Sequence, residues 1–246
     1  YWPNGKEANV QNLAEAQEAH SQLIIDHVPD KTKSILDVGS GSGNLALKLL
    51  NLDYNVDCVI PSEFLAEQVA VKLGNRGKIH ICGFEKIDDS KKYDLILFSE
   101  SFQYVKLGES LNKIVKMLNS SGSLLICDFF RRDVPGKSPM GGGHSWNGFL
   151  EAVSNYPLNL DVDRDITEET APTIDLLAKF NTNVLSPISE MSAEYLLDHY
   201  PKITKLFRWK FKKRLEKIHN IYLSGNVNGE SFKRFKEYHL LVYKRN

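Results

Sequence analysis

The fold is decided by one stretch, Ile35-Leu36-Asp37-Val38-Gly39-Ser40-Gly41-Ser42-Gly43-Asn44, in which a short apolar run meets alternating glycines. Glycine at these positions lets the backbone turn sharply and approach a ligand closely. The apolar residues after this stretch recur at helical spacing, so the sequence predicts a strand, a tight turn and a helix. A ligand is then expected in the crevice beyond the strand end, where the first N–H groups of the helix are free.

Two other interpretations of this turn are a dinucleotide site and a purely structural turn. The dinucleotide fingerprint has the spacing G-x-G-x-x-G, whereas Gly39, Gly41 and Gly43 simply alternate. Asp37 also lies inside the predicted strand, ahead of the first glycine. Both details favour a cofactor other than a dinucleotide.

Outward from the turn, short apolar runs alternate with helical patterns, which indicates an α/β fold: a parallel sheet with helices on both faces. The segment between the last two strands, 167–231, is mostly helical and too long for a plain loop. One domain, 1–246, is therefore expected, with 167–231 as a helical insertion in it. The predicted strands are 34–38, 56–60, 78–82, 94–99, 123–129, 158–165 and 237–243, and the flanking helices include 8–28, 63–73, 110–118 and 145–155.

The composition limits the classes of function. The 246 residues have a formal net charge of zero, so bulk charge gives no reason to expect a polyanion as partner. No apolar run approaches the roughly 20 residues that a transmembrane helix needs. Cys58, Cys82 and Cys127 lie in predicted strands, at a spacing that fits no metal site. They are expected to be reduced core thiols of a cytoplasmic protein, and no metal is predicted.

The stretch Asp37–Gly43 resembles motif I of class I S-adenosylmethionine-dependent methyltransferases of the small-molecule type. The run Tyr93–Val105 looks like the family's fourth strand with the loop that faces the methyl group. Ser121–Ile126 and Phe235–Lys244 look like its fifth strand and its closing antiparallel strand. The resemblance implies a Rossmann-like, mostly parallel sheet of seven strands with an antiparallel last strand. It also implies S-adenosyl-L-methionine as cofactor and S-adenosyl-L-homocysteine as product, bound by Asp37, Gly39, Ser40, Gly41, Gly43 and Ser99.

One position departs from the family pattern. The family's second strand usually ends in an acidic residue that holds both ribose hydroxyls, but Ile60, followed by Pro61, lies at that place. A missing hydrogen bond to a charged group costs about 1.5–3 kcal/mol, or roughly 10- to 150-fold in affinity. Either Glu63 substitutes from the helix start, or the chain is a cofactor-fold binding module with weak or no catalysis. Phe84 and Glu85 lie where the family binds adenine, and Phe84 either stacks on the base or packs the core.

The resemblance implies that the 167–231 insertion covers the acceptor as a lid. Its many apolar residues suit a small apolar acceptor of the lipid, polyketide or carrier-bound acyl type, although they could simply pack the lid onto the sheet. Glu100, beside the methyl-transfer position, and His144, after a run of three glycines, are the candidate catalytic residues, since either can accept a proton from a hydroxyl or an activated carbon. A structural role or a helix cap is the alternative for His144. The chain lacks the Asn/Asp-Pro-Pro-Tyr/Phe stretch that the family carries after its fourth strand when it methylates amino groups of bases and glutamine, so O- or C-methylation is favoured over N-methylation.

A strongly basic run, Lys202–Lys217, contains eight basic residues and one acidic residue, interleaved with apolar side chains. It suits a membrane surface, an acidic carrier protein or a phosphate-bearing acceptor. A solvated lid helix whose lysines lie along apolar neighbours is the bland alternative. An RNA methyltransferase that uses this helix is a further alternative, but the chain's zero net charge ranks nucleic acid low.

Overall fold

The centre of the protein is a seven-stranded sheet, seen in a computed structural model that describes residues 1–3 and 7–246. Its strands run in the order β3-β2-β1-β4-β5-β7-β6. All neighbours from β3 to β5 pair in parallel, whereas β7 is antiparallel to both β5 and β6. The predicted mostly parallel sheet with an antiparallel last strand is therefore confirmed. The strand bounds are β1 (Ser34–Val38), β2 (Asn55–Val59), β3 (Ile79–His80), β4 (Tyr93–Ser99), β5 (Leu118–Arg131), β6 (Leu158–Asp165) and β7 (Lys236–Arg245).

The central strands are buried on both faces, which explains their continuous apolar sequences. The runs Leu95–Phe98 in β4 and Leu124–Cys127 in β5 are fully buried, as is Ile35–Leu36 in β1. Such runs, rather than an alternating pattern, are typical of parallel strands covered on both sides. The chain builds outward from β1 to β3 and then returns to β4, so the strand order reverses between β1 and β4. In open α/β sheets ligands bind outside the carboxyl ends of the strands at such a reversal.

The helices agree with the prediction except near their ends. The first helix was predicted over 8–28 but spans Leu13–Ile25, because the Asn12 N–H donates to Asn9 Oδ1 at 2.9 Å in a turn that precedes it. Exposed Val10 does not extend the apolar face. The helix bounds are α1 (Leu13–Ile25), α2 (Asn44–Asn51), α3 (Glu63–Leu73), α4 (Leu107–Met117), α5 (Trp146–Val153), α6 (Thr167–Phe180), α7 (Ser186–His199), α8 (Pro201–Ile218) and α9 (Gly229–Phe235).

The three cysteines are free thiols, and two of them are buried as expected. Cys58 in β2 and Cys127 in β5 lie in the core, whereas Cys82 is half-buried. The predicted strand position of Cys82 was wrong because β3 already ends at His80, but this thiol still packs against the core.

The chain divides into two compact units. The sheet unit comprises 17–133, 142–166 and 236–246, and the helical unit comprises 1–16, 134–141 and 167–235. Within the helical unit, buried Trp2 donates from Nε1 to Thr173 Oγ1 at 2.8 Å, and the Gly229 N–H donates to Asp175 Oδ1 at 2.7 Å. The insertion 167–231 falls within the helical unit, and its role as a lid stays a prediction.

Candidate functional site

The turn between β1 and α2 has a backbone conformation that favours glycine. Gly39, Gly41 and Gly43 have φ angles of 77°, 53° and 75°, all in the left-handed region. A Cβ atom on Gly39 would lie 2.5 Å from Ser101 Cβ, and one on Gly43 would lie 3.0 Å from Val69. A Cβ atom on Gly41 would meet nothing within 4 Å. The turn is therefore packed at its two ends and open at its middle, where a ligand could approach the main chain.

Hydrogen bonds fix this turn to the ends of the neighbouring strands. Ser40 Oγ donates to the Asp37 carbonyl at 2.9 Å, and the Gly39 N–H donates to the Val59 carbonyl at 2.8 Å. Ser101 Oγ, just after β4, donates to the Val38 carbonyl at 2.5 Å. These bonds hold the ends of β1, β2 and β4 together at the point where the strand order reverses, so the turn is a rigid part of the sheet's carboxyl edge.

Asp37 lies behind the turn as a buried carboxyl group. It is 1% exposed, and its Oδ2 has no hydrogen-bond partner among the described residues. Burial raises the pKa of Asp37 to about 6, and Ser40 opposes part of this rise. Cys58 lies opposite Asp37 in the next strand, and burial, together with the Asp37 charge, raises the pKa of its thiol to about 12. An unpartnered carboxylate oxygen under an open glycine turn fits a ligand that brings hydrogen-bond donors or positive charge.

The segment after β2 differs from what a ribose-binding carboxylate would require. Ile60 is 2% exposed, and its N–H donates to the His80 carbonyl at 2.9 Å, so its side chain belongs to the core. Pro61 is exposed, and Ser62 caps α3 by accepting from the Leu65 N–H. Glu63, in the first turn of α3, is exposed and is the first acidic residue after this strand end.

Phe84 packs the core rather than the surface of the crevice. It is 2% exposed, and its ring meets Phe98 edge-on at a centroid distance of 5.3 Å. Stacking on a base would require this ring to leave the core, so we do not include it in the proposed site. Glu85 is half-buried and accepts from the Lys106 N–H at 3.3 Å through Oε1, which places its carboxylate beside the start of α4.

Glu100, directly after Ser99 at the end of β4, is held by a chain of polar side chains. It has φ 56°, a left-handed conformation that is strained for a residue other than glycine. Tyr238 Oη donates to Glu100 Oε1 at 3.2 Å, and His20 Nε2 lies 3.2 Å from the same tyrosine oxygen. Cys127 Sγ lies 3.4 Å from His20 Nε2. Since the tyrosine has one hydrogen and gives it to the carboxylate, His20 Nε2 donates to the tyrosine.

Burial affects the proton affinities in this chain. Burial lowers the pKa of His20, although the Glu100 charge opposes the change. Burial also raises the pKa of Tyr238 well above its ordinary value, so this hydroxyl keeps its proton at neutral pH. Glu100 is thus an exposed residue with a strained backbone at the carboxyl edge of the sheet, and its carboxylate accepts a hydrogen bond from the neutral Tyr238 hydroxyl.

His144 lies against the loop that follows β4. Its Nε2 is 3.0 Å from the Phe102 carbonyl, and its ring meets the Phe102 ring edge-on at 5.5 Å. A carbonyl only accepts, so Nε2 carries the hydrogen and Nδ1 is the basic nitrogen. The backbone before it is turned by Gly142 and Gly143, both with φ 78°. The structure thus brings both candidate catalytic residues, His144 and Glu100, to one loop.

Asp128 in β5 fixes that same loop. Its Oδ2 accepts from the Gln103 N–H at 3.0 Å, and its Oδ1 accepts from the Phe129 N–H at 2.8 Å. Burial raises the pKa of Asp128 to about 7. The two hydrogen bonds lower this pKa, and the charge of Glu100 raises it. A second buried carboxyl group therefore lies beside the candidate site.

His20, Tyr238 and Asp128 were not among the residues predicted from the sequence. His20 and Tyr238 are 218 positions apart in the chain, so no local pattern pairs them. Tyr238 and Asp128 each interrupt the apolar sequence of a strand, and this polar side chain in an apolar run was the one sign that either residue could have a functional role.

The fold and the glycine turn together define a class I, Rossmann-like methyltransferase architecture. Residues 36–126 match the family described as a methyltransferase domain. Over 104 residues, 41% of this chain, the sequence is 28% identical to a malonyl-acyl-carrier-protein O-methyltransferase of Ilyobacter polytropus, and the match covers 40% of that relative's length. Over this region the chain is therefore similar to class I methyltransferases, and the cofactor of that family is S-adenosylmethionine.

Two solved structures share this fold at low sequence identity. The cyclase SpnF matches with a TM-score of 0.70 and 16% identity, over 100% of this chain and 85% of that one. Geranyl diphosphate C-methyltransferase of Streptomyces coelicolor A3(2), solved with Mg²⁺, geranyl diphosphate and S-adenosyl-L-homocysteine, matches with a TM-score of 0.68 and 15% identity, over 98% and 88% of the two chains. At these identities the comparisons show the fold alone.

The described residues contain neither a metal-binding cluster nor a helix that could span a membrane. Within residues 1–3 and 7–246, no group of three His, Cys, Asp or Glu side chains is placed to hold a metal ion. None of the helices in this part of the chain has the length and apolar character needed to cross a bilayer.

Proposed function

We propose that the protein transfers the methyl group of S-adenosylmethionine to a small, largely apolar acceptor. The observation that carries this proposal is the turn at Gly39–Gly43, with the unpartnered Oδ2 of Asp37 behind it and open space beside Gly41. Bound S-adenosylmethionine supplies an electrophilic methyl group on a sulfonium centre. The main chain of the turn holds the cofactor, with Ser40, Ser99 and the start of α3 around it.

Glu100 accepts the proton that the acceptor loses when it gains the methyl group. Its strained backbone fixes the direction of the carboxylate, and Tyr238 fixes its rotamer through the bond to Oε1. His20 in turn positions Tyr238. His144, with Nδ1 as its basic nitrogen, is the second candidate for this proton transfer. Methyl transfer is an in-line displacement, so positioning supplies most of the catalysis.

The acceptor class follows from the apolar side chains of the helical insertion and from the relatives. Leu177 and Phe180 are exposed large apolar residues of α6. The relatives carry names that specify a carrier-bound malonyl group and geranyl diphosphate. We therefore propose a lipid, polyketide or carrier-bound acyl acceptor, methylated on oxygen or carbon in the cytoplasm, with the 167–231 insertion as its cover.

A second candidate is a cofactor-fold protein that binds S-adenosylmethionine weakly and does not transfer its methyl group. The buried position of Ile60, where the family has a ribose-binding carboxylate, favours this candidate. A structure of the same fold that bears the name of a cyclase shows that the fold is compatible with another reaction. Glu63 at the start of α3 is the residue that could replace the missing carboxylate.

Calorimetry with S-adenosylhomocysteine, followed by methyl-incorporation assays, separates the two candidates. The assays use labelled S-adenosylmethionine with geranyl diphosphate, malonyl-acyl carrier protein and free fatty acids as acceptors. We expect Glu100→Gln to lower kcat by roughly 10²- to 10⁴-fold without a change in S-adenosylhomocysteine affinity. Glu109→Gln, in the exposed first turn of α4, is the matched control and keeps full activity. Equal kcat in the two variants would remove Glu100 as the base, and absence of cofactor binding would remove the proposed activity.

A further inference from the structure

The helix α8 has an unusual surface for a helix of a neutral protein. Its run Lys202–Lys217 has a net charge of +7 in a chain whose total is zero. This total already includes Glu216, whose Oε1 lies 3.9 Å from Lys212 Nζ. Helix α8 has no buried residue. Its least exposed positions are Thr204, Phe211 and Leu215, which define the side that packs within the helical unit.

The opposite side of α8 combines lysines with large apolar residues. Lys202, Leu206, Trp209, Lys213 and Lys217 recur at intervals of three and four residues and therefore lie on one side of the helix. We call these five residues the basic face. Leu206 is 62% exposed and Trp209 is 77% exposed. Lysine side chains that merely cover apolar surface would bury such residues, so these two side chains have no structural role inside the unit.

The neighbouring helix α7 adds further exposed apolar area. Ile188, Met191 and Tyr195 are spaced as one helical stripe and are all exposed. The half-buried residues of α7, Ser186, Ala193 and Leu197, lie on its other side. Helices α7 and α8 thus leave an apolar stripe and a basic face with an exposed tryptophan in solvent. Exposed apolar area of this kind is typical of a site that binds another protein or a membrane.

The chemistry of these faces favours an anionic lipid surface over a protein or RNA partner. Six of the eight basic residues are lysines, a residue type that is depleted in protein–protein interfaces. RNA would use the charge and the tryptophan but would leave the α7 stripe without a partner. Anionic lipids match all of these features, because headgroup phosphates attract lysine while Trp and Leu partition into the interfacial region. The positive charge of α8 and its exposed Trp209 therefore favour an anionic lipid surface as the binding partner.

We propose that the basic face of α8 binds the surface of an anionic membrane. The helix lies parallel to the bilayer, with Leu206 and Trp209 inserted at the headgroup level and the lysines against lipid phosphates. This surface would bring the chain to where apolar molecules are concentrated. Binding needs neither the cofactor nor methyl transfer, so it is measured independently of the proposed activity.

Vesicle co-sedimentation of the full chain tests the proposal. The probes are phosphatidylcholine vesicles with and without phosphatidylglycerol. We expect binding to the anionic vesicles alone, with a loss at high salt because the surface potential is screened. Lys213→Glu combined with Lys217→Glu should weaken binding by about 30-fold or more. Trp209→Ser should weaken it roughly tenfold. The tryptophan fluorescence of the wild type should shift to the blue on binding, and this shift should be lost in Trp209→Ser, which keeps Trp2 and Trp146.

Matched variants separate this surface from general charge and general apolarity. Lys31→Glu with Lys33→Glu makes the same change in net charge at exposed positions far along the chain from α8, and Val71→Ser removes an exposed apolar side chain of α3. Both should bind vesicles like the wild type. Equal loss in the two lysine pairs, or no binding to anionic vesicles, overturns the proposal. The proposal is also overturned if the chain does not bind vesicles but binds acyl carrier protein, RNA or a second copy of itself, and the lysine-to-glutamate changes in α8 abolish that binding.

Discussion

At the residue scale, Asp37 is the group whose energetics most clearly oppose stability. Its carboxyl is buried, Oδ2 has no partner among the described residues, and its pKa is raised from 3.8 to about 6. Such a shift corresponds to ~3 kcal/mol of unfavourable burial of the charged form. Folding tolerates this cost at a site where a ligand supplies the missing interactions, which is the usual exchange of stability for function.

This raised pKa predicts how the stability of the cofactor-free protein depends on pH. Between pH 4 and 6 the folded state holds the Asp37 proton more tightly than the unfolded state, so the free energy of unfolding falls as pH rises and then levels off. We expect Asp37→Asn to be more stable than the wild type at pH 8, by roughly 1 kcal/mol because the buried amide also lacks partners. The difference should change sign towards pH 4, where the wild type has regained most of the ~3 kcal/mol and should be the more stable by roughly 1–2 kcal/mol. Cofactor affinity should also fall.

Urea unfolding at several pH values measures this effect. Asp26→Asn, which changes an exposed carboxyl of the sheet unit, is the control and should show no such trend. A constant difference between Asp37→Asn and the wild type at all pH values would mean that Asp37 is not the titrating group.

The sequence predicted the residues of the glycine turn but not the partners of Glu100. Asp37, Gly39 and Gly43 form a local pattern whose spacing alone specifies a strand and a turn. Tyr238 and His20, by contrast, reach Glu100 through tertiary packing of β7 and α1. Ile60 was predicted beside a ribose site, and the structure explains why it is apolar, since its side chain completes the core.

At the element scale, the turn between β1 and α2 offers a test with an internal control. Gly39 and Gly41 both have positive φ, so alanine at either position is strained by about 1 kcal/mol. Alanine at Gly39 would also clash with Ser101, whereas alanine at Gly41 enters open space. We therefore expect Gly39→Ala to lower the free energy of unfolding by ~2 kcal/mol or more, and Gly41→Ala by about half as much.

The order of Gly39→Ala and Gly41→Ala in cofactor affinity should differ from their order in stability. If the main chain at Gly41 contacts the ligand, its new methyl group occupies ligand space, and we expect affinity for S-adenosylhomocysteine to fall at least tenfold in calorimetry. The comparison is made on folded protein, after urea unfolding has measured stability. Unchanged affinity in Gly41→Ala would show that the ligand does not approach the turn there.

The elements were predicted with unequal success, for physical reasons. The central strands were found because parallel strands buried on both faces read as unbroken apolar runs. The first helix was predicted too long because apolar spacing continues past its ends, while Asn9 forms a competing turn. The apolar residues of α6 and α7 were expected to wall a pocket, whereas the basic run in α8 was compatible with several partners. Spacing alone could not show which of these side chains are exposed.

At the scale of the whole molecule, the basic surface and the proposed cofactor site lie in different units of the chain. Every residue of the proposed cofactor site lies in the sheet unit, whereas the basic face of α8 lies in the helical unit. The zero net charge conceals this arrangement, because the run Lys202–Lys217 is balanced by acidic residues elsewhere. Bulk charge was therefore a poor guide to partners, and local charge was the informative quantity.

This separation predicts that ligand stabilisation and surface charge act independently. A ligand present at 100 times its Kd stabilises the folded state by about 2.7 kcal/mol. For a chain of 246 residues, S-adenosylhomocysteine should then raise Tm by roughly 5–10 °C. Lys213→Glu with Lys217→Glu should show the same increase by differential scanning calorimetry, since neither residue belongs to the cofactor turn. An increase lost in this variant would couple α8 to the cofactor, whereas no increase in the wild type would leave the fold intact but end the case for methyl transfer.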